Sequence, residues 1–191
     1  MHPAIAIMLL WAGWVISWVA AARWSNRTEK RPSIGTEIRY RIPMLIGVAV
    51  MFIPAHGYEG PLRLWHIGWN GAWLCVLLIM LGIAFAWWAR IHLGRLWSGH
   101  ITRKADHHIV DTGPYAIVRH PIYTGLLLSL AATAAAKGTI LGIIGLLLIG
   151  LGIWMKARSE ESWLRQELGE GAYDNYRRRV PMLLPFGPKS G

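Results

Sequence analysis

Five apolar runs separated by short polar segments dominate the hydrophobic pattern of the chain. They cover residues 3–22, 42–55, 68–91, 121–136 and 139–155. Crossing a hydrocarbon core of about 30 Å takes about 20 helical residues, which the first and third runs supply alone. The second run is shorter and contains two prolines, so it needs neighbouring residues or tilt to span. The pattern predicts an all-α integral membrane protein with about five transmembrane helices.

The fourth and fifth runs are separated only by the dipeptide Lys137-Gly138. So short a connection predicts a tight helical hairpin, because antiparallel neighbouring helices need few linking residues. The two runs are also rich in Gly and Ala, which allow close helix approach in lipid.

Basic residues mark alternate connections between the runs. Lys and Arg are frequent after the first, third and fifth runs, whereas the second and fourth connections hold only Arg63 and Lys137. Cytoplasmic segments carry the excess of Lys and Arg, so we expect the N-terminus outside and the C-terminus in the cytoplasm. The first run has no basic start and no clear cleavage site, which favours a retained helix over a secretory signal.

The segment after the fifth run differs from the rest in its mixture of charge and apolar residues. Apolar positions recur there at helical spacing among charged ones, which predicts an amphipathic helix that ends near Gly169 and a second short helix around 172–178. We expect one membrane domain over 1–191. Its parts are three transmembrane helices (1–92), a cytoplasmic connector (93–120), the transmembrane hairpin (121–156) and C-terminal cytoplasmic helices with a tail (157–191).

Composition agrees with a membrane protein and excludes several functions. Mean hydropathy is +0.34, only 16% of residues are charged, and there are 12 Trp, a residue that favours membrane interfaces. The net charge of +10 does not indicate nucleic-acid binding, because the basic residues lie between apolar runs and orient the protein. The single cysteine, Cys75, excludes an intrachain disulfide and a thiolate metal cluster.

Polar side chains capable of chemistry are concentrated in two segments that flank the predicted hairpin. The first spans 100–123 and contains several His and Tyr residues; the second contains Arg158, Glu160 and Glu161. Closure of the hairpin would bring both to one membrane face. The histidines lack the spacing of a metalloprotease helix and no glycine-rich phosphate loop is present, so we predict neither a catalytic metal nor a dinucleotide-binding domain.

The order of these motifs resembles the isoprenylcysteine carboxyl methyltransferase family of integral-membrane enzymes. The matching elements are HHIV at 107–110, GPY at 113–115, RHPIYTG at 119–125, the acidic pair at 160–161, tyrosines 173 and 176, and RVPMLLPF at 179–186. The resemblance covers roughly residues 90 to 186, whereas the first two helices contribute only hydropathy.

The resemblance implies a methyltransferase that binds S-adenosylmethionine between the connector and the C-terminal helices. Glu160 is suited to the ammonium group of that cofactor, with its neighbour Glu161 as the alternative, and Arg158 would orient an anionic acceptor, with Arg119 as the second candidate. The expected cofactor-binding residues are His107, His108, Ile109, Val110, Tyr115, His120, Pro121, Ile122, Tyr123, Glu160 and Glu161.

The acceptor stays open at this point. An isoprenylcysteine-type carboxylate is the namesake substrate, and phospholipid amines, isoprenoid acids and small thiols are alternatives. The expected partners are membrane lipids and a lipophilic or lipidated substrate, and the sequence leaves the oligomeric state open. Two other functions compete: a sterol-type membrane reductase with a nicotinamide cofactor, and a non-enzymatic membrane scaffold or transport subunit.

Overall fold

The described part of the chain is all-helical, as the sequence predicts. A computed structural model describes residues 1–23, 34–53, 62–94, 109–168 and 170–189. These ranges contain an isolated backbone bridge between Arg63 and Thr139 but no β-strand. The helices are α1 (Pro3–Ala21), α2 (Ile34–Phe52), α3 (Trp69–Leu93), α4 (Pro114–Ile117), α5 (Pro121–Lys137), α6 (Ile140–Leu168) and α7 (Glu170–Arg179).

Three described helices are long and apolar enough to cross a membrane. They are Pro3–Ala21, Trp69–Leu93 and Ile140–Gln166. The other two predicted spans also form helices but differ from these three. Charged residues occupy the first half of α2, and α5 has 17 residues, which at 1.5 Å per residue reach only about 25 Å. The three long apolar helices identify the chain as a membrane protein.

Helix α6 continues without a break from its apolar part into the charged segment that follows. The sequence predicts a separate amphipathic helix from residue 156, but the structure has one helix of 29 residues. No glycine or proline lies between residues 152 and 168, and the residues there are mostly good helix formers, so nothing interrupts the backbone hydrogen bonds. The second predicted short helix is confirmed as α7, and Gly169 lies outside the described residues.

Close helix packing depends on glycine at two helix pairs. Helix α3 packs against α5 at Gly82 and Gly125, where a Cβ atom on either glycine would overlap the backbone oxygen of the other. Helix α2 packs against α6 in the same way at Gly47 and Gly145. The consecutive helices α5 and α6 therefore each make their closest backbone approach to an earlier helix.

The helix directions divide the bundle into two ends. Contacts of Met51 with Gly145, and of Met44 with Gly152, show that α2 and α6 are antiparallel. At one end, which we call the turn end, Lys137, the last residue of α5, donates to the Ile53 carbonyl at 2.9 Å. The opposite end, which we call the site end, contains the start of α5 and the last turns of α6.

A buried arginine joins two helices at the site end. The Arg90 side chain is fully buried, and its guanidinium donates to the Ala21 carbonyl at 3.0 Å and to the Gly94 carbonyl at 2.7 Å. Carbonyl groups in the last turn of a helix have no partner within the helix, so Arg90 satisfies one at the end of α1 and one just after α3.

Candidate functional site

The backbone at the start of α5 is held by the C-terminal segment. The Arg119 amide donates to the Pro181 carbonyl at 2.8 Å, and the His120 amide donates to the Met182 carbonyl at 3.1 Å. Pro121 then occupies the first turn of α5, where its missing N–H costs nothing. These hydrogen bonds fix the backbone of Arg119 and His120, and both side chains contact α6.

Glu160 lies at the centre of a cluster of ionisable and aromatic side chains. The Tyr123 hydroxyl donates to its Oε1 at 2.7 Å, and Nδ1 of His120 lies 3.5 Å from its Oε2. Lys156, one turn earlier in α6, is close enough for its charge to act on the carboxylate. Three side chains that favour the ionised carboxylate therefore surround Glu160.

Glu161 has a different environment, dominated by arginine. Nε of the buried Arg119 donates to its Oε1 at 2.7 Å, and Nε of Arg177 lies 3.4 Å from its Oε2. Arg119 also donates to the carbonyls of Arg177 and Val180. Glu161 and Arg119 therefore connect α6 to α7 and hold the C-terminal segment against the site.

His120 bridges the two carboxylates. Its Nε2 lies 3.3 Å from Oε1 of Glu161, while its Nδ1 faces Glu160, and its ring stacks on Tyr123 with a centroid distance of 5.5 Å. Burial lowers the pKa of His120, but hydrogen bonds to the two carboxylates outweigh burial, so the pKa is raised above its ordinary value. The imidazolium form is thus favoured between the two acids.

Aromatic residues form one side of the cluster. Tyr115 is buried, and its carbonyl accepts a hydrogen bond from the Tyr176 hydroxyl at 2.7 Å. Its ring stacks on His92 at the end of α3, with centroids 6.3 Å apart. Ile109 packs against the apolar cluster that contains Tyr173 and Tyr176. Burial raises the pKa of Tyr115, so its hydroxyl stays protonated.

The structure brings most of the sequence-predicted site residues to the site end. His120, Tyr123, Glu160, Glu161 and Arg119 interact directly. Tyr115 and Ile109 lie beside them against α7, Pro121 is buried in the first turn of α5, and Ile122 and Val110 are partly buried. His107 and His108 lie outside the described residues.

Arg158, the predicted acceptor-binding residue, does not join this cluster. It is exposed, and its guanidinium lies over the Trp154 ring at 5.3 Å. Residues two apart on a helix lie about 200° apart around its axis, so Arg158 and Glu160 occupy opposite faces of α6. Arg119, the second candidate, is bound within the internal network of Glu161.

Lys156 is the cation that sequence reasoning missed. Its Nζ lies 5.4 Å from the Tyr123 ring centroid and 5.9 Å from that of Tyr40 in α2. The i, i+4 spacing of Lys156 and Glu160 was a signal in the sequence, because such residues share a helix face. No comparable signal identified Tyr40, which reaches the site only through the packing of α2 on α6.

The donor set contains groups that suit an aminoacyl-nucleoside cofactor. In the described ranges no three His, Cys, Asp or Glu side chains are grouped to hold a metal ion. Glu160 is a carboxylate that could pair with an ammonium group, and Tyr115 and Tyr123 offer aromatic surface beside it. These residues have the chemistry needed to hold S-adenosylmethionine.

Known proteins share the segment that contains this site. The model of the isoprenylcysteine carboxyl methyltransferase (ICMT) family matches residues 74–166, from within α3 to the last turns of α6. The match therefore includes the start of α5 and both glutamates.

Three relatives illustrate the range of similar proteins. The cobalt-zinc-cadmium resistance protein CzcN of Cupriavidus metallidurans is 31% identical over 63% of this chain and 55% of its own length. A protein-S-isoprenylcysteine O-methyltransferase of Schizosaccharomyces pombe is 33% identical over 52% of this chain and 43% of its own length. Methanethiol S-methyltransferase 2 of Bradyrhizobium diazoefficiens is 43% identical over 37% of this chain and 26% of its own length.

The chain spans about half the length of the first two of these relatives. The family model covers the segment that brings His120 and Tyr123 against Glu160, and two of the three relatives are named methyltransferases. Over residues 74–166 the chain is similar to the isoprenylcysteine carboxyl methyltransferase family.

Proposed function

We propose that this protein is a membrane methyltransferase that transfers a methyl group from S-adenosylmethionine to a lipophilic acceptor, with an isoprenylcysteine-type carboxylate as the leading candidate. The observation that carries the proposal is the contact of Tyr123 and His120 with Glu160, within the family-matched segment. The reductase and scaffold alternatives are not favoured, because the family match and the named relatives point to methyl transfer.

Glu160 is the proposed partner of the cofactor ammonium group. Its carboxylate lies among side chains that keep it ionised, and an ammonium could replace His120 as its counter-charge. Glu161 is the weaker candidate, because Arg119 and Arg177 already neutralise it. The aromatic surface of Tyr115, with the segment 109–110, is the proposed contact for the adenosine portion. His107 and His108 remain proposed contacts on the basis of the family motif alone.

Lys156 replaces Arg158 as the proposed acceptor-binding residue. Bound S-adenosylmethionine supplies an electrophilic methyl group on a sulfonium, and an acceptor oxygen gains that methyl as the carbon–sulfur bond breaks toward sulfur. A carboxylate is already nucleophilic at neutral pH, so it needs only to be held in line, and an ammonium such as that of Lys156 can do so. An amine or thiol acceptor would instead need a base, for which His120 and Tyr123 are the first candidates.

The proposed membrane arrangement has five spans with the N-terminus outside, and with the site end and C-terminus at the cytoplasmic face. The antiparallel packing of α2 on α6, and the position of the α5–α6 turn at the other end of the bundle, support it. In this arrangement a water-soluble cofactor reaches the site end from the cytoplasm, while a lipophilic acceptor enters from the inner leaflet.

Titration of the detergent-purified protein with S-adenosylmethionine or its demethylated product tests the proposal. We expect the wild type to bind both and Glu160→Gln to weaken binding by tenfold or more, because a lost charged pair costs about 1.5–3 kcal/mol. Glu161→Gln should lower thermal stability more than affinity.

Asp174→Asn is the matched control, since it removes a carboxylate of α7 that pairs with Arg165 and Arg177 rather than with His120 or Tyr123. This variant should bind the cofactor like the wild type. Absence of binding by the wild type, or undiminished binding by Glu160→Gln, would count against the proposed function.

A further inference from the structure

Tyr40 is a buried residue whose polar atom has no role in the fold as described. Only 2% of the residue is exposed, in the half of α2 nearest the site end. Its hydroxyl is buried and forms no hydrogen bond with any residue that the structure describes. Burying a hydroxyl without a partner costs free energy, so such a group calls for an explanation.

Three charged residues act on this hydroxyl: Glu37 and Arg41 from the same helix, and Glu160 from α6. Arg41 lies nearby on the same helix, but it pairs with Glu37 at 2.8 Å and does not have hydrogen-bond geometry to Tyr40. From α6, the charge of Glu160 reaches the same hydroxyl. Tyr40 is therefore on the edge of the ionisable cluster, although it lies outside the family-matched segment.

The ring of Tyr40 also helps to position Lys156. The ammonium of Lys156 lies over both the Tyr40 ring and the Tyr123 ring, at 5.9 Å and 5.4 Å from the centroids. Aromatic faces attract a cation at these distances. Tyr123 belongs to the cofactor side of the cluster through its bond to Glu160, whereas Tyr40 is linked to the cluster through Lys156.

We infer that Tyr40 completes a subsite for an anionic acceptor group, in which Lys156 supplies the positive charge and the Tyr40 hydroxyl donates a hydrogen bond. The inference rests on the proposed function, whose acceptor it specifies as a carboxylate or similar anion. It assigns α2, which carries no family motif, a direct part in acceptor selection. The Tyr40 ring is in addition a positioning group for Lys156.

Paired acceptor probes test this subsite by binding alone. N-acetyl-S-farnesylcysteine carries a carboxylate, and its methyl amide keeps the same lipid tail without the charge. We expect the wild type, titrated calorimetrically in detergent with saturating S-adenosylhomocysteine, to prefer the carboxylate by tenfold or more. Tyr40→Phe should lose most of that preference, because it removes only the donor to the anion. Lys156→Met should lose it as well.

Tyr123→Phe is the matched hydroxyl deletion on the other side of Lys156. It should weaken S-adenosylhomocysteine binding, through the lost bond to Glu160, and keep the carboxylate preference. Tyr40→Phe should show the reverse pattern, with cofactor affinity and thermal stability like those of the wild type.

Two results would overturn the subsite. The first is that the wild type binds the two probes equally or binds neither. The second is that Tyr40→Phe keeps the carboxylate preference, or loses it only to the extent that its affinity for S-adenosylhomocysteine also falls. Failure of the proposed function looks different, because the wild type then binds no S-adenosylhomocysteine. The probe titration without cofactor still measures the role of Tyr40 and Lys156 in that case.

Discussion

His120 illustrates how one side chain can connect folding to ligand binding. Its imidazole is buried between Glu160 and Glu161, and its pKa is raised because hydrogen bonds to the two carboxylates outweigh the effect of burial. A raised pKa means that the folded state binds the proton more tightly than the unfolded state does. The imidazolium therefore stabilises the fold. It also pairs with Glu160, the carboxylate that we propose for the cofactor ammonium group.

This dual role predicts opposite effects of pH on stability and on affinity. The stabilisation by His120 should be complete below its unfolded pKa of about 6.5 and should be lost as the pH rises through the higher folded value. Thermal unfolding of the wild type and of His120→Asn in detergent, from about pH 6 to about pH 9, should show a difference in Tm that shrinks as the pH rises. Affinity of the wild type for S-adenosylmethionine should increase over the same range, with proton release detectable by calorimetry in buffers of different ionisation enthalpy. A constant difference in Tm would contradict the role of the imidazolium.

The residues of the site were predictable to the extent that they lie in continuous motifs. His120, Tyr123 and the glutamates follow from the sequence and lie together in the structure. The choice of cation did not follow, since Arg158 is nearer in sequence to Glu160 but lies on the opposite helix face, while Lys156 shares the helix face of Glu160. Tyr40 could not be predicted, because no local pattern records which residue of α2 packs over which turn of α6.

At the level of helices, the hydrophobic pattern located each long helix of the described residues but not all of their ends. The apolar runs correspond to α1, α2, α3, α5 and α6. Each of these helices is rich in apolar residues, because its side chains are buried in the bundle or face lipid. The join between the last run and the charged tail was predicted as a boundary, yet α6 passes through it. A change from apolar to charged residues alters the surroundings of a helix without breaking its backbone hydrogen bonds.

The pairing of helices gives a prediction at this scale. Gly125 of α5 faces Gly82 of α3 so closely that an added Cβ would overlap backbone, whereas Gly13 of α1 has no atom within 4 Å of such a Cβ. Gly125→Ala should lower the free energy of unfolding by about 1–3 kcal/mol through overpacking. Gly13→Ala should leave it unchanged or raise it by about 0.5–1 kcal/mol, since alanine favours a helix interior. Thermal and denaturant unfolding in detergent measure both variants, and equal stability of the two would contradict the proposed packing.

For the whole molecule, we propose five spans with the N-terminus outside. The basic connections in the sequence and the helix directions in the fold agree with this arrangement. Within the described ranges three helices are long and apolar enough to span, while α2 and α5 complete an alternating bundle in the proposal. The five-span arrangement predicts that the exposed His66 and Ser162 lie on opposite sides of the membrane.

Labelling of single cysteines tests this arrangement. In a Cys75→Ala background, His66→Cys should react with a membrane-impermeant maleimide added to intact bacterial cells that express the protein. Ser162→Cys should react only after the membrane is permeabilised, because it lies in the last turns of α6 at the proposed cytoplasmic face. Reaction of both residues in intact cells, or of neither after permeabilisation, would exclude the proposed orientation. The Cys75→Ala parent without an added cysteine supplies the background signal.

The unbroken course of α6 has a consequence for how the lipid environment acts on the site. Glu160 lies roughly 20 residues after the helix begins, which corresponds to about 30 Å, close to the thickness of a hydrocarbon core. A rigid rod of this length fixes the height of its acids relative to the far side of the bilayer. In the proposed arrangement, longer acyl chains would place Glu160 and Glu161 in the hydrocarbon core, and shorter ones would place them among the headgroups. Bilayer thickness would therefore change how readily the cofactor reaches Glu160.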